Sequence, residues 1–237
     1  MANIIVFGDK LSNALFSKCI YYGAFNKRFY SKVNQMKLAA VDKRIRILAA
    51  NQVGLEQNLF IMLPQSSKMI PSEYKVIINP KILKISNEVI ENTEESISFP
   101  QFKAKVNRYK TIFVSYDDKK GKTVEEELKG LESIWYQQAI DQVMGIPCIS
   151  WIASQGKVEL KPEYQKQAEL NPGFLKAFKE YVDVGQQQKY QERNLYSVNP
   201  QDEREDYALQ GPTHQPHNYE LYEKLLRNLE NELFYTF

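Results

Sequence analysis

Apolar positions follow two different rhythms along the first two thirds of the chain. Val33, Met36, Leu38 and Val41 fall roughly on one face of a 3.6-residue repeat with charges elsewhere, which predicts a helix over 32–46. Leu59 to Leu63 is instead a continuous apolar run ended by Pro64, the pattern of a buried strand. Val76 to Ile78 predicts a second strand, stopped at Asn79-Pro80, because the residue before a proline is pushed out of the helical region. Ile82–Ile85 and Thr111–Tyr116 are further strand candidates, and Asp117-Asp118-Lys119-Lys120-Gly121 before Val124 has the residues of a hairpin turn. The helical rhythm then returns from Leu131 to Met144. Ile134, Trp135, Ile140, Val143 and Met144 make that helix largely buried, and Gly145 with Pro147 ends it. Strands followed by one central buried helix predict an α+β domain.

Beyond that helix the pattern changes. Asn171-Pro172 caps a short amphipathic helix carrying Phe174, Leu175, Phe178 and Tyr181, closed by Gly185. Residues 186–216 are polar and aperiodic, so an extended or loop-like stretch is expected there. A last helix carries Leu221, Leu225, Leu229 and Leu233 at spacing four, a stripe that something must cover. The expected division is an N-terminal arm over 1–31, the α+β domain over 32–157 and a C-terminal extension over 158–237.

Composition narrows the function classes. Of 237 residues, 43% are hydrophobic, enough for a real core, and the formal net charge of +2 makes no global demand for a nucleic-acid partner. Cys19 and Cys148 are far apart and form no C-x-x-C pair, so reduced, buried thiols are expected rather than a disulfide framework or a zinc ribbon. No apolar run reaches the roughly 18–20 residues of a spanning helix; the longest candidate, Leu11 to Phe25, is broken by Lys18. The first thirty residues set Lys10, Lys18, Lys27 and Arg28 against a single Asp9, with hydroxyls and aromatics between, as a mitochondrial address would. Arg28-Phe29-Tyr30-Ser31 is similar to a matrix-protease site, although the expected address is one that stays attached. An ordinary basic arm is the alternative.

Three segments carry a resemblance. Leu48-Ala49-Ala50-Asn51-Gln52-Val53-Gly54 resembles the G-x-G-L-A-A-P-Q of peptide deformylases. Ile78-Asn79-Pro80-Lys81-Ile82, followed by Glu94-Glu95-Ser96-Ile97-Ser98-Phe99-Pro100, resembles that family's I-N-P-x-I and E-G-C-L-S-x-P. Gln137-Gln138-Ala139-Ile140-Asp141-Gln142-Val143-Met144-Gly145 stands where the family has Q-H-E-x-D-H-L-x-G. The order and the connections match over about residues 32–155, including the Leu128-Lys129-Gly130 step before the helix. The resemblance implies the deformylase fold, antiparallel sheets around a central helix at about 131–144.

It also implies a chemistry that these residues do not support. In active deformylases the cysteine of the second motif and two histidines at i, i+4 bind a divalent metal. The glutamate between the histidines is the general base, and the first-motif glutamine helps to hold the oxyanion. Here the cysteine position is Ser96, the histidines are Gln138 and Gln142, and the glutamate is Ala139; Gln52 and Glu94 keep the family identity. A neutral hydroxyl and two amides are poor ligands beside thiolate and imidazole. Losing a general base alone removes roughly 10²–10⁴-fold in rate. The glycines of the first and second motifs are Ile47 and Glu95. No catalytic residue, metal or cofactor is therefore expected, only vestigial positions at Gln52, Ser96, Gln138, Ala139 and Gln142.

Gln138 and Gln142 are expected to hydrogen-bond Ser96 and the backbone, filling the former metal hole. Asp141 is read as a structural partner, His214 and His217 as solvated loop residues, and Glu125-Glu126-Glu127 as a solvated strand edge. The expected function is that of an inactive, deformylase-like accessory subunit in a large mitochondrial assembly, most of all a respiratory-chain complex. It would lie in the matrix or on the matrix side of the inner membrane, with protein subunits as partners, no nucleic acid, and at most a peripheral place on the membrane. A ribosome-associated accessory protein, a module that grips N-terminal peptides without cleaving them, and last an active metal-dependent deformylase are the alternatives.

Overall fold

In the computed structural model, residues 2–6, 11–148 and 158–169 are described. Three α-helices, eight strands and three short 3-10 turns make up the described residues. Five strands form one antiparallel sheet: β1 (Ile47–Ala49), β2 (Leu59–Met62), β3 (Lys75–Ile85), β6 (Thr111–Asp117) and β7 (Thr123–Lys129), neighbours in that order. Three more form a second sheet in the order β4 (Val89–Ser96), β5 (Phe99–Tyr109), β8 (Val158–Leu160). Helix α1 (Lys27–Asp42) packs on β1 and β2. Helix α2 (Leu131–Val143) touches β1, β2 and β7 of the first sheet and β5 of the second, so it lies between them. A short α3 (Pro162–Glu169) follows β8. This is the α+β arrangement that the sequence predicts.

The reasons are local. Asn26 caps α1, its Oδ1 accepting the Phe29 N–H at 3.0 Å, so the helix starts at Lys27 rather than at 32. It ends before Arg44, which takes φ of 54°, and so never reaches 46. Phe29, Val33, Met36 and Ala40 are buried on it, whereas Leu38, expected on the apolar face, is 46% exposed. Fully burying a side chain such as Phe60, Phe102 or Met36 contributes about 1.5–3 kcal/mol, and all three are 0% exposed. Tyr136 of α2 meets Phe60 edge-on at 5.1 Å, tying the central helix to β2.

Two features differ from the sequence reading. Asn79-Pro80 does not stop a strand: β3 runs through it from Lys75 to Ile85, with a register shift between Ile78 and Lys81. Asn79 takes φ of 51°, which asparagine tolerates. Its side chain accepts the Tyr22 N–H at 2.9 Å and donates to the Tyr22 carbonyl at 2.8 Å, so the bulge is held by the N-terminal segment. The second is the long β4–β5 hairpin, paired from Val89↔Tyr109 to Ser96↔Phe99, which the apolar pattern does not announce. By contrast β6 and β7 pair from Thr111↔Lys129 to Asp117↔Thr123 around the expected turn. There Asp118 accepts the Lys120 and Lys122 N–H groups, and these bonds draw its carboxyl below the usual range. Glu125 and Glu127 are exposed on this edge as expected; Glu126 instead binds Lys75 at 2.8 Å and accepts from the Tyr116 hydroxyl at 2.9 Å.

The first thirty residues are not merely an appended arm. Ile5, Leu15, Cys19 and Phe29 are buried, and Ile20 makes a parallel bridge to Gln57. The predicted helix after Asn171, the 186–216 stretch, His214, His217 and the leucine stripe over 221–233 all lie outside the described residues.

Candidate functional site

Three segments converge at the C-terminal half of α2: the 3-10 turn Ala50–Val53 after β1, the tight turn between β4 and β5, and the helix itself. The turn after β1 is set by Gln52, whose Oε1 accepts the Ala49 N–H at 2.9 Å. Its other end donates to Ser98 Oγ at 3.1 Å and to Ser96 Oγ at 3.3 Å, so one buried amide sews the first motif to the second. Ser96 Oγ also accepts the Ser98 N–H at 3.3 Å, closing the hairpin.

Beneath these lies a buried ionic cluster. Arg108 of β5 donates Nε and Nη2 to the two oxygens of Glu94 at 2.6 and 2.9 Å, and its Nη1 to Asp141 of α2. All three side chains are almost fully buried. Two carboxylates on one bidentate guanidinium form a joint between the β4–β5 hairpin and the helix. Asp141 is thus a structural partner, as expected. Gln137, one turn earlier, reinforces the joint: it donates to the Tyr109 carbonyl at 2.8 Å and accepts the Tyr109 N–H at 3.0 Å.

The neighbouring face of α2 carries Gln138, Ala139 and Gln142. Spacing i, i+4 sets Gln138 and Gln142 on one side, yet their side chains take separate partners. Gln138 donates to the Glu95 carbonyl at 2.9 Å, on the second motif. Gln142 donates to the Leu15 carbonyl at 2.9 Å and to Asn51 Oδ1 at 3.3 Å. The expected bonds to the backbone are present; the expected bonds to Ser96 are not, since Gln52 holds that hydroxyl. Ala139 presents a buried methyl group where a proton acceptor would stand.

A cleft of about 250 Å³ remains here, with Ile45, Ile47, Ile97 and Trp135 as apolar walls and Ser96 and Gln138 as polar ones. Arg46 stands 5.4 Å from the centroid of the Trp135 ring and donates to the Pro64 carbonyl at 3.0 Å. Cys148 also lines the cleft; it and Cys19 are buried, as expected. The places of Arg46 and Cys148 in the cleft were not read from the sequence. The apolar rhythm places Arg46 at the end of a helix, and Cys148 follows α2 with no spacing signal.

A divalent metal of the kind the resemblance implies does not fit these residues. The three positions offer one hydroxyl and two amides, all neutral and weak ligands, and the amide N–H groups of both glutamines donate to backbone carbonyls. Glu95 and Cys148 reach the same cleft, but among the described residues no group of three His, Cys, Asp or Glu could hold an ion. No helix among them is long and apolar enough to cross a membrane.

Comparison with known proteins agrees with this architecture. The profile of the polypeptide deformylase family matches residues 1–158, so the likeness takes in the first thirty residues that the three motifs do not reach. A peptide deformylase of Thermotoga maritima is 33% identical over 114 residues, 48% of this chain; the matched stretch falls just short of two thirds of that relative, at 66%. The crystal structure of Thermotoga maritima peptide deformylase matches at 30% identity with a TM-score of 0.57, covering 63% of this chain and 95% of that one. A Plasmodium falciparum peptide deformylase structure matches with a TM-score of 0.58 over 71% of this chain and 91% of its own, at 21% identity, and so bears on the fold alone.

Proposed function

The chain belongs to the polypeptide deformylase family, and from that premise we propose that it is a member that does not deformylate and serves as a structural accessory subunit of a large mitochondrial assembly. One observation carries the loss of chemistry. The ligand positions hold Ser96, Gln138 and Gln142, neutral groups that make only neutral hydrogen bonds, and the base position holds Ala139. A hydroxide nucleophile needs a cation to ionise water near neutral pH, and attack needs a group to move the proton. This site is built for neither.

The accessory role is supported by what surrounds the site. The family scaffold is held by its buried ionic joint, and the sequence spaces Leu221, Leu225, Leu229 and Leu233 at four, a pattern that something must cover and that favours a partner surface. The near-neutral net charge of +2 favours a protein-rich respiratory-chain complex over an RNA-rich particle. The basic, hydroxyl- and aromatic-rich first thirty residues favour a mitochondrial address, at the matrix or the matrix side of the inner membrane.

A second reading has an observation of its own. The cleft beside Gln52 keeps apolar walls, which favours a module that holds an N-terminal peptide without cleaving it. Two measurements separate the readings. Formate release from formyl-Met peptides should stay at the buffer rate, and titration with the same peptides should give no saturation if the role is purely structural. Purification of the full chain under gentle extraction should bring respiratory subunits with it; ribosomal RNA in their place would defeat the respiratory assignment.

A further inference from the structure

The side chain at the second histidine position joins two distant parts of the chain. Gln142, 5% exposed, donates to the Leu15 carbonyl across 127 residues of sequence. Its own carbonyl accepts from Asn51 Nδ2 at 2.5 Å, and the same amide reaches the Ser17 carbonyl at 3.3 Å. One residue further along α2, the Val143 carbonyl accepts the Cys19 N–H at 2.7 Å. Past the helix the fit tightens: a Cβ at Gly145, whose φ is 76°, would stand 2.5 Å from the Phe16 carbonyl oxygen. Phe16 meets Phe99 edge-on at 5.9 Å, and Leu15 is 0% exposed.

We infer that Gln142 and Asn51 anchor residues 11–20 as a permanent strap over the end of α2, and that the chain keeps this strap rather than losing it to cleavage near Arg28–Ser31. The inference rests on the non-catalytic reading of position 142. Cleavage there would strip Leu15 and Cys19 from the core. It would also leave the buried Gln142 amide and the Val143 carbonyl without these partners, a state that native proteins avoid. A basic N-terminal segment can thus serve as an address and as part of the fold at once, provided that it is not removed.

Cys19 supplies the reporter. It is 4% exposed, its thiol faces the Leu55 carbonyl at 3.8 Å, and burial pushes its pKa up to about 12, so it stays inert while the strap is down. The experiment is maleimide labelling of the full chain, with Cys19 and Cys148 distinguished by peptide mass mapping. Gln142→Leu should label Cys19 about tenfold faster than the wild type, the scale of one lost buried hydrogen bond; rates equal within about twofold would overturn the inference. Should that variant fail to fold, the wild type decides by hydrogen exchange. The Cys19 amide should be protected on the order of a thousandfold, together with the end of α2, and exchange at the free-peptide rate would overturn the strap. The mass of the protein from its native source should include residue 15, and an N-terminus at 29–32 would equally overturn it. A released strap without metal leaves the non-catalytic reading standing, whereas bound metal under an intact strap does the reverse.

Discussion

Two pairs of side chains on α2, one residue apart, differ in kind. Gln137 and Asp141 face the β4–β5 hairpin, keep the residue types of the family motif, and bind Tyr109 and Arg108. Gln138 and Gln142, about 100° further round the helix, stand where the family has its histidines and bind the carbonyls of Glu95 and Leu15. The first pair belongs to a buried ionic and amide joint that cannot lose one member cheaply. The second pair is neutral, and a neutral donor needs only a carbonyl. Residue types can therefore change on one face of this helix while the scaffold on the adjacent face holds the fold.

Four measurements bear on the difference between these two faces. The largest effect should come from Arg108→Met, which leaves Glu94 and Asp141 buried without their counter-charge. Urea denaturation should show a loss of about 3–5 kcal/mol, and a loss under about 1 kcal/mol would mean that the joint is not what holds the scaffold. Gln137→Leu removes both side-chain bonds to the Tyr109 backbone, whose carbonyl keeps the Ser133 hydroxyl at 2.7 Å, and should cost about 1–3 kcal/mol in the same assay. Third is an alkaline effect on the strap side. The folded Cys19 thiol, raised to about 12 from an ordinary 9.0, favours the protonated form. The stability this contributes is whole below about pH 9 and is lost as pH rises toward 12. Relative to Cys19→Ala, the wild type should lose on the order of 1 kcal/mol by about pH 10. The smallest effect belongs to Gln138→Ala, under about 0.5 kcal/mol, because only one bond, to a carbonyl at the cleft, is removed.

How much of this could be read beforehand follows from the range of the interactions. The central helix, the β6–β7 hairpin and the family motifs are legible, since apolar rhythm, turn residues and motif spacing are local. The β4–β5 hairpin was not, because its inward positions include Glu94, Ala104 and Arg108, so the alternation that marks a strand reads as polar. Asn79-Pro80 reads as a stop from the restriction that proline puts on the residue before it; an asparagine at positive φ, braced by Tyr22, turns it into a bulge. The partner of Gln142 was hidden for a different reason. A backbone carbonyl has no sequence signature, and this one lies in a segment whose basic composition reads as an address. The start of α1 is hidden with it, since the same composition places Asn26 in an arm rather than at a cap.

On the function proposed above, positions 96, 138 and 142 do not hold a cation. Titrating the purified full chain with cobalt(II), while following visible absorption and the thermal midpoint, tests it most directly. The expected result is no saturable spectrum and no shift of the midpoint, with or without chelator. A one-to-one cobalt spectrum that vanishes in Ser96→Ala or Gln138→Ala would contradict the account.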